Sequence, residues 1–312
     1  MIKKPDKKRI VIFLLIAFGV SWATGLAIFL TGGLEDSPTY EVEGAQITLA
    51  YILLASAYMF GPAIANLLTR ILTREGRKNL LLHPNFNKKR WLYYAAGWFL
   101  PGILIIIGMV VFFVFFPGFF DKDLALLQEQ IQTAGNTVAI SPWTVVILQT
   151  LQAMLIAPIL NAISTFGEEF GWRGYLLPKL MPLGGRKAVL LTGLTWGVWH
   201  WPVILMGYNY GKDYFGAPFL GPVAMVWFTL SLSVIFGWLI IKAESVWPAV
   251  IAHGALNGIA GISLLLTKGS TSTLLGPTPV GLIGGSGLTL AAVIILLVPG
   301  ALSPQRNDNP NL

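Results

Sequence analysis

Eight apolar runs, each close to the length that crosses a bilayer, leave this chain few ways to fold. A transmembrane helix needs about 20 mostly apolar residues. The runs Ile10–Leu30, Gln46–Leu68, Trp91–Phe116, Trp143–Phe166, Ala188–Met206, Pro218–Ile241, Trp247–Leu266 and Leu275–Leu302 meet that requirement. The expected fold is all-α: a polytopic membrane protein, a bundle of about eight transmembrane helices. Only 11% of residues are charged and 55% are hydrophobic, whereas soluble domains carry about 25% charged residues. No linker, repeat or low-complexity tract divides the chain, so residues 1–312 read as a single integral-membrane domain. The first apolar run is too long for a signal-peptide core and lacks a clean small-residue cleavage site, so it reads as a retained helix.

The charges fix an orientation. With the N-terminus inside, the inner segments hold eighteen of the twenty-one Lys and Arg residues, and only Lys122, Lys212 and Lys268 fall outside. The outer loops gather Glu35, Asp36, Glu41, Glu43, Asp121, Asp123 and Glu129. For loops this short, that asymmetry places both termini in the cytoplasm. It also accounts for the net charge of +7 without a nucleic-acid partner. The partner implied by the inner loop 69–90, with its seven basic residues, is the lipid bilayer. The outer segment Leu124–Gln132 reads as a short interfacial helix. Cysteine is absent, which removes disulfides, thiolate catalysis and Cys-ligated metals.

Against this background a few polar groups stand out. Each ionised group at the bilayer centre costs roughly 2.5–3.5 kcal/mol on insertion scales, yet "STFGEEFGWRGY" sets Glu168 beside Glu169 at the end of the fourth run. Glu169 and Arg173 are four residues apart and share a helix face, so the guanidinium can neutralise that carboxylate. Glu168 is rotated about 100° away and stays available as a general base. His200 lies midway along the fifth run with Trp196 on the same face, and the indole can wall the imidazole. His253 and Asn257 are likewise four apart in the seventh run. These residues define a motif-bearing core at 143–266, and three spans could bring Glu168, His200 and His253 to one pocket open to the cytoplasmic side.

The ordered set "EEFGWR", "WGVWH" and "HGALN" resembles the CPBP family of intramembrane proteases, which includes CAAX prenyl endopeptidases and bacterial Abi proteins linked to bacteriocin immunity. The family pattern is Glu-Glu-x-x-x-Arg, Phe-x-x-x-His and His-x-x-x-Asn/Asp on successive helices. The resemblance implies an endopeptidase in which Glu168 activates water, His200 orients it, and His253 with Asn257 stabilises the oxyanion. Glu169 and Arg173 would support the site. Trp196 stands where the family usually has Phe, which adds an N–H needing a partner. The family name often carries "metalloprotease", and zinc held by Glu168, His200 and His253 is one reading. A metal-free glutamate mechanism with the same residues is the other.

Two other readings compete. "GGSG" at 284–287 resembles the serine motif of rhomboid proteases, but Ser286 follows both histidines, the reverse of the rhomboid order. A non-catalytic immunity or proton-coupled transport protein could use the same polar cluster. An inverted repeat would support transport, and the polar motifs have no counterpart in the first half. The expected substrate is a membrane-associated, CAAX-like or leader-bearing peptide or protein, and the expected location is a bacterial inner membrane.

Overall fold

The computed structural model describes residues 5–42, 44–87, 89–133 and 141–304. Lys3, Lys4, Glu43, Lys88 and Arg306, part of the charge asymmetry, lie outside the described residues. Short turns aside, the chain runs through α1 (Lys7–Leu30), a hairpin of β1 (Thr39–Val42) and β2 (Ala45–Thr48), α2 (Leu49–Leu72) and α3 (Trp91–Phe115). It continues through α4 (Ala125–Thr133), α5 (Pro142–Leu155), α6 (Ala157–Leu160), α7 (Ala162–Gly171), α8 (Gly185–Trp199) and α9 (Trp201–Leu205). It ends with α10 (Leu220–Ala243), α11 (Trp247–Leu265) and α12 (Ser286–Leu297). The fold is that of an all-α polytopic membrane protein. The short outer segment expected to be helical is α4.

Five of these helices, α1, α2, α3, α10 and α11, are long and apolar enough to cross a membrane. The fourth, fifth and eighth runs expected to do so are not continuous helices. Proline explains the first two breaks, because its ring removes an N–H and clashes with the carbonyl four residues back. Pro158 frees the Met154 carbonyl, which accepts a hydrogen bond from Trp98 Nε1 at 2.9 Å, and the fourth run divides into α5, α6 and α7. Pro202 ends α8 at His200. There the His200 N–H bonds to Gly197 and the Val203 N–H to His200, each one residue short of α-helical register. The Trp199 carbonyl is thereby released, and Tyr58 Oη (2.6 Å) and Trp22 Nε1 (3.1 Å) donate to it. In the eighth run only α12 is helical; the preceding residues form a glycine-rich loop whose Gly284 backbone presses on Gly108 of α3.

A buried α10 organises the bundle, packing against α8, α11, α12 and α3. The helices bearing the candidate site dock through pairs of glycines four apart, which let backbones approach closely in lipid. Gly167 and Gly171 of α7 lie on Met59 and Pro62 of α2, Gly193 and Gly197 of α8 on Ser233 and Val226 of α10, and Gly254 and Gly258 of α11 on Pro158 and Ala157 of α6. Within α2 a π-helical turn spans Leu54–Tyr58. Pro62 leaves the Tyr58 carbonyl without its helical donor, and Ser21 Oγ of α1 supplies one at 2.8 Å.

The basic ends of the helices are tied together. Glu75 accepts from Lys179 and from Tyr175 Oη at 2.9 Å, with Arg9 at 3.4 Å and Arg70 at 3.8 Å. Its partial burial favours the neutral form, but the bonds from Lys179 and Tyr175 outweigh that and hold its carboxyl below the usual range. Arg70 also donates to the carbonyls of Gly76, Lys78 and Asn79. The loop continues across the bundle, where its Leu81 and Leu82 carbonyls accept from Val246 N–H and Trp247 Nε1. Gly300 and Ser303 reach the same face through Lys242.

The glycine contacts are testable. A Cβ at Gly171 would sit 2.3 Å from Pro62 Cβ and 2.5 Å from its carbonyl oxygen, and overpacking of this kind costs about 1–3 kcal/mol. Gly171→Ala should lower the unfolding midpoint in detergent. Gly19→Ala, with nothing within 4 Å, should leave it in place. Equal midpoints for the two variants would refute the close packing of α7 on α2.

Candidate active site

Glu168 and Glu169 are both buried on α7, at 3% and 0% exposure. Each has a different set of partners. Glu169 Oε1 accepts from Arg173 Nη1 and from His253 Nδ1, each at 3.0 Å. Arg173 follows in the π-helical turn Trp172–Leu176, fully buried, with its guanidinium 4.0 Å from the Trp196 ring centroid and 5.3 Å from that of Phe236. Those two faces supply cation–π attraction to a charge that water does not reach. Glu168 Oε2 accepts from Trp196 Nε1 at 2.6 Å. The extra N–H of tryptophan at this position therefore holds the glutamate beside it. Glu168 Oε1 makes no hydrogen bond among the described residues.

The histidines are fixed by their Nδ1 atoms. His200 Nδ1 lies 2.8 Å from the Trp196 carbonyl, and a carbonyl only accepts, so Nδ1 carries the proton there. That carbonyl is available because His200 N–H bonds to Gly197 instead. In His253, Nδ1–H donates to Glu169. Both rings are thus oriented by a protein acceptor and keep Nε2 for other partners. Trp196 lies between them, its ring centroid 5.5 Å from each imidazole.

Glu168, His200, His253 and Asn257 line one cavity of about 360 Å³. Asn257 is exposed to it one turn beyond His253. Tyr58, Asn161, Ser164 and Tyr208 line it as well and were not singled out from the sequence. Asn161 turns its amide away, donating to the Gly254 carbonyl at 3.0 Å. A sequence signal did exist for the framework: Glu168, Trp196, His253 and Asn257 each stand next to a glycine of a G-x-x-x-G pair. Ser286 is not among the cavity's lining residues. It opens α12, next to Gly287, whose backbone presses on Leu104 of α3.

The arrangement lends no support to zinc held by Glu168, His200 and His253. Among the described residues, no three His, Asp or Glu side chains are grouped so as to hold one ion. Glu168 Oε2 is already engaged by Trp196, and Glu169 by Arg173 and His253.

The residues that line the cavity fall in the half of the bundle away from the basic helix ends. Of α2 and α10, which run toward the basic face, only the first halves line it (Tyr51 to Met59, and Met225 to Leu232). Of α8 and α11, which run away from that face, only Trp196, His253 and residues beyond them do so. Glu168, Leu232 and His253 form its floor. Below the floor, Phe13 stacks on Tyr175 at 5.1 Å and meets Trp172 edge-on at 5.6 Å, and the Glu75 network closes the end. These aromatic rings lie between the cavity floor and the basic helix ends.

Comparison with known proteins bears on the same helices. The family described as type II CAAX prenyl endopeptidase Rce1-like matches residues 142–259. A protein named CAAX prenyl protease 2 from Methanococcus maripaludis is 31% identical over 101 residues, covering 32% of this chain. The match spans 37% of the length of that relative.

The shared carboxylate makes a stability prediction. Glu169→Gln leaves Arg173 buried without a counter-charge, and breaking a buried pair from one side costs about 3–5 kcal/mol. Denaturation in detergent should show that loss, and Glu169→Gln combined with Arg173→Met should recover part of it. Wild-type stability in Glu169→Gln would show that the pair does not hold the floor together.

Proposed function

We propose that this chain, whose residues 142–259 match the Rce1-like family of CAAX prenyl endopeptidases, is an endopeptidase of that kind and hydrolyses a peptide bond in or near the membrane with water activated by Glu168. The observation that carries this reading is the sharing of one cavity by Glu168, His200, His253 and Asn257. Glu168 is a base with one oxygen anchored by Trp196 and the other unbonded. A carboxylate held that way can take a proton from water without reorienting.

The residues divide the work as follows. His200, protonated at Nδ1 by its bond to the Trp196 carbonyl, accepts a water hydrogen at Nε2 and aims the oxygen at the scissile carbonyl. Glu168 removes the second water proton as the new C–O bond forms. The negative charge that develops on the carbonyl oxygen is met by the Asn257 amide. It is also met by His253 when that ring carries a proton on both nitrogens, with Nδ1–H on Glu169 and Nε2–H toward the oxyanion. Glu168 then delivers its proton to the leaving nitrogen as the C–N bond breaks, giving one carboxyl and one amine terminus. Glu169 and Arg173 act as positioning residues. No step requires a metal. A membrane-associated peptide or protein is the substrate class this reading implies, and the bilayer is its second partner.

Purified protein in liposomes tests the assignment. Glu168→Gln keeps size and the Trp196 bond but removes the base, and should cut peptide turnover by at least about 10²–10⁴. Asn257→Ala should lower kcat by roughly 10²–10³ with a smaller effect on KM. Ser286→Ala should be active. Full activity in Glu168→Gln, or an inactive Ser286→Ala, would overturn the mechanism. Substrate binding without cleavage in every variant would instead favour a binding protein.

A further inference from the structure

Two independent observations meet at the cavity. The first is charge: eighteen Lys and Arg residues fall on one side of the spans and three on the other, a difference that sets that side in the cytoplasm. The second is shape. The cavity is confined to the opposite half of the bundle. Its rim carries the exposed Tyr51, Tyr208 and Asn209, all near the ends of α2 and α9 that share a face with the β1–β2 hairpin. On that face Lys212 and Glu35 pair at 2.7 Å and join the loop after α9 to the loop after α1.

Depth can be read along the helices. Leu232, on the floor, is twelve residues into α10 from its outer start, about 18 Å at 1.5 Å per residue. His253 is six residues into α11 from its basic end, about 9 Å by the same rise. The reacting groups are thus nearer to the cytoplasmic surface, yet the structure blocks that shorter path. Arg173, Trp172 and Tyr175 are fully buried beneath Glu168, and the Arg70 and Trp247 bonds fasten the loop after α2 across the end.

We propose that the substrate reaches Glu168 from the non-cytoplasmic side of the membrane, as an extended segment of a polypeptide that descends through the outer half of the bundle. At about 3.3 Å per residue, five or six extended residues span the distance from rim to floor. The substrate class is therefore a membrane-attached polypeptide with a flexible stretch of at least that length exposed on the outer face. The C-terminus of a cytosolic protein does not meet that requirement. The cavity's polar atoms (Tyr208, Asn209, Ser164 and Asn257) give such a strand hydrogen-bonding partners along its path. The choice of a polypeptide rests on the hydrolytic reading above; the side of approach does not.

The absence of cysteine makes the test direct. Single variants Ala260→Cys and Ala55→Cys place a thiol on the cavity wall, with Gln46→Cys as the outer reference and Asn87→Cys as the inner one. A charged, impermeant methanethiosulfonate is added to intact cells or to inside-out vesicles. The proposal expects Ala260→Cys, Ala55→Cys and Gln46→Cys to react fully in intact cells, and only Asn87→Cys to react in inside-out vesicles. Reaction of the two cavity thiols only in inside-out vesicles would overturn it, as would reaction of Asn87→Cys in intact cells. Labelling needs no turnover, so a Glu168→Gln background should give the same pattern. Outside labelling with no cleavage of any externally added peptide would retain the side of approach while refuting the protease reading.

Discussion

One carboxylate oxygen, Glu169 Oε1, takes hydrogen bonds from both Arg173 and His253, and the polar centre of this protein is organised around it. Glu169 ties the end of α7 to the middle of α11 and counters a guanidinium that is otherwise surrounded by Trp196 and Phe236. Each ionised group placed at bilayer depth costs a few kcal/mol, and pairing is what makes two tolerable there. With Glu169 committed to Arg173 and His253, its neighbour Glu168 meets a single donor, Trp196. Two adjacent glutamates thus take different roles because a one-residue step around a helix turns them toward different partners.

Glu168 and His200 stand on the broken spans. A continuous span hides its carbonyls in its own ladder, whereas the break before Pro202 releases two of them. The Trp196 carbonyl orients His200, and the Trp199 carbonyl binds Tyr58 and Trp22. Irregular backbone at membrane depth is tolerated where it is buried in protein or lines a cavity, and both conditions hold here. The glycine pairs compensate for the lost regularity by locking α7, α8 and α11 against their neighbours at short distance. The cavity therefore has a rigid floor made from elements that would not be stable alone.

Much of this was legible in the sequence. The apolar runs gave the all-α membrane fold, and the four-residue spacing gave the Glu169–Arg173 pair. The residues later found around one cavity stood out as polar groups in apolar runs. The breaks were less visible, because hydropathy averaged over a window passes smoothly through Pro158, Pro202 and the glycine loop before α12. The direction of the cavity was hidden altogether. A linear sequence locates His253 and Glu168 nearer the basic end, and proximity suggested access from that end. What fills the basic end depends on whether Phe13 of α1 meets Trp172 and Tyr175 of the π-helical turn after α7, and that is a matter of packing, not of depth. The partner of the Trp196 N–H was equally a tertiary fact, resolved only when α8 is placed against α7.

The central claim is that these side chains form a single hydrolytic site with Glu169 at its base. The most direct measurement is an experimental structure in a lipid nanodisc with a phosphinic peptide, whose tetrahedral phosphorus imitates the intermediate. The account predicts one phosphinyl oxygen at Glu168, the other between Asn257 and His253, and His253 Nδ1 still on Glu169. A peptide bound away from Glu168, or a His253 ring turned from Glu169 with the inhibitor in place, would contradict it.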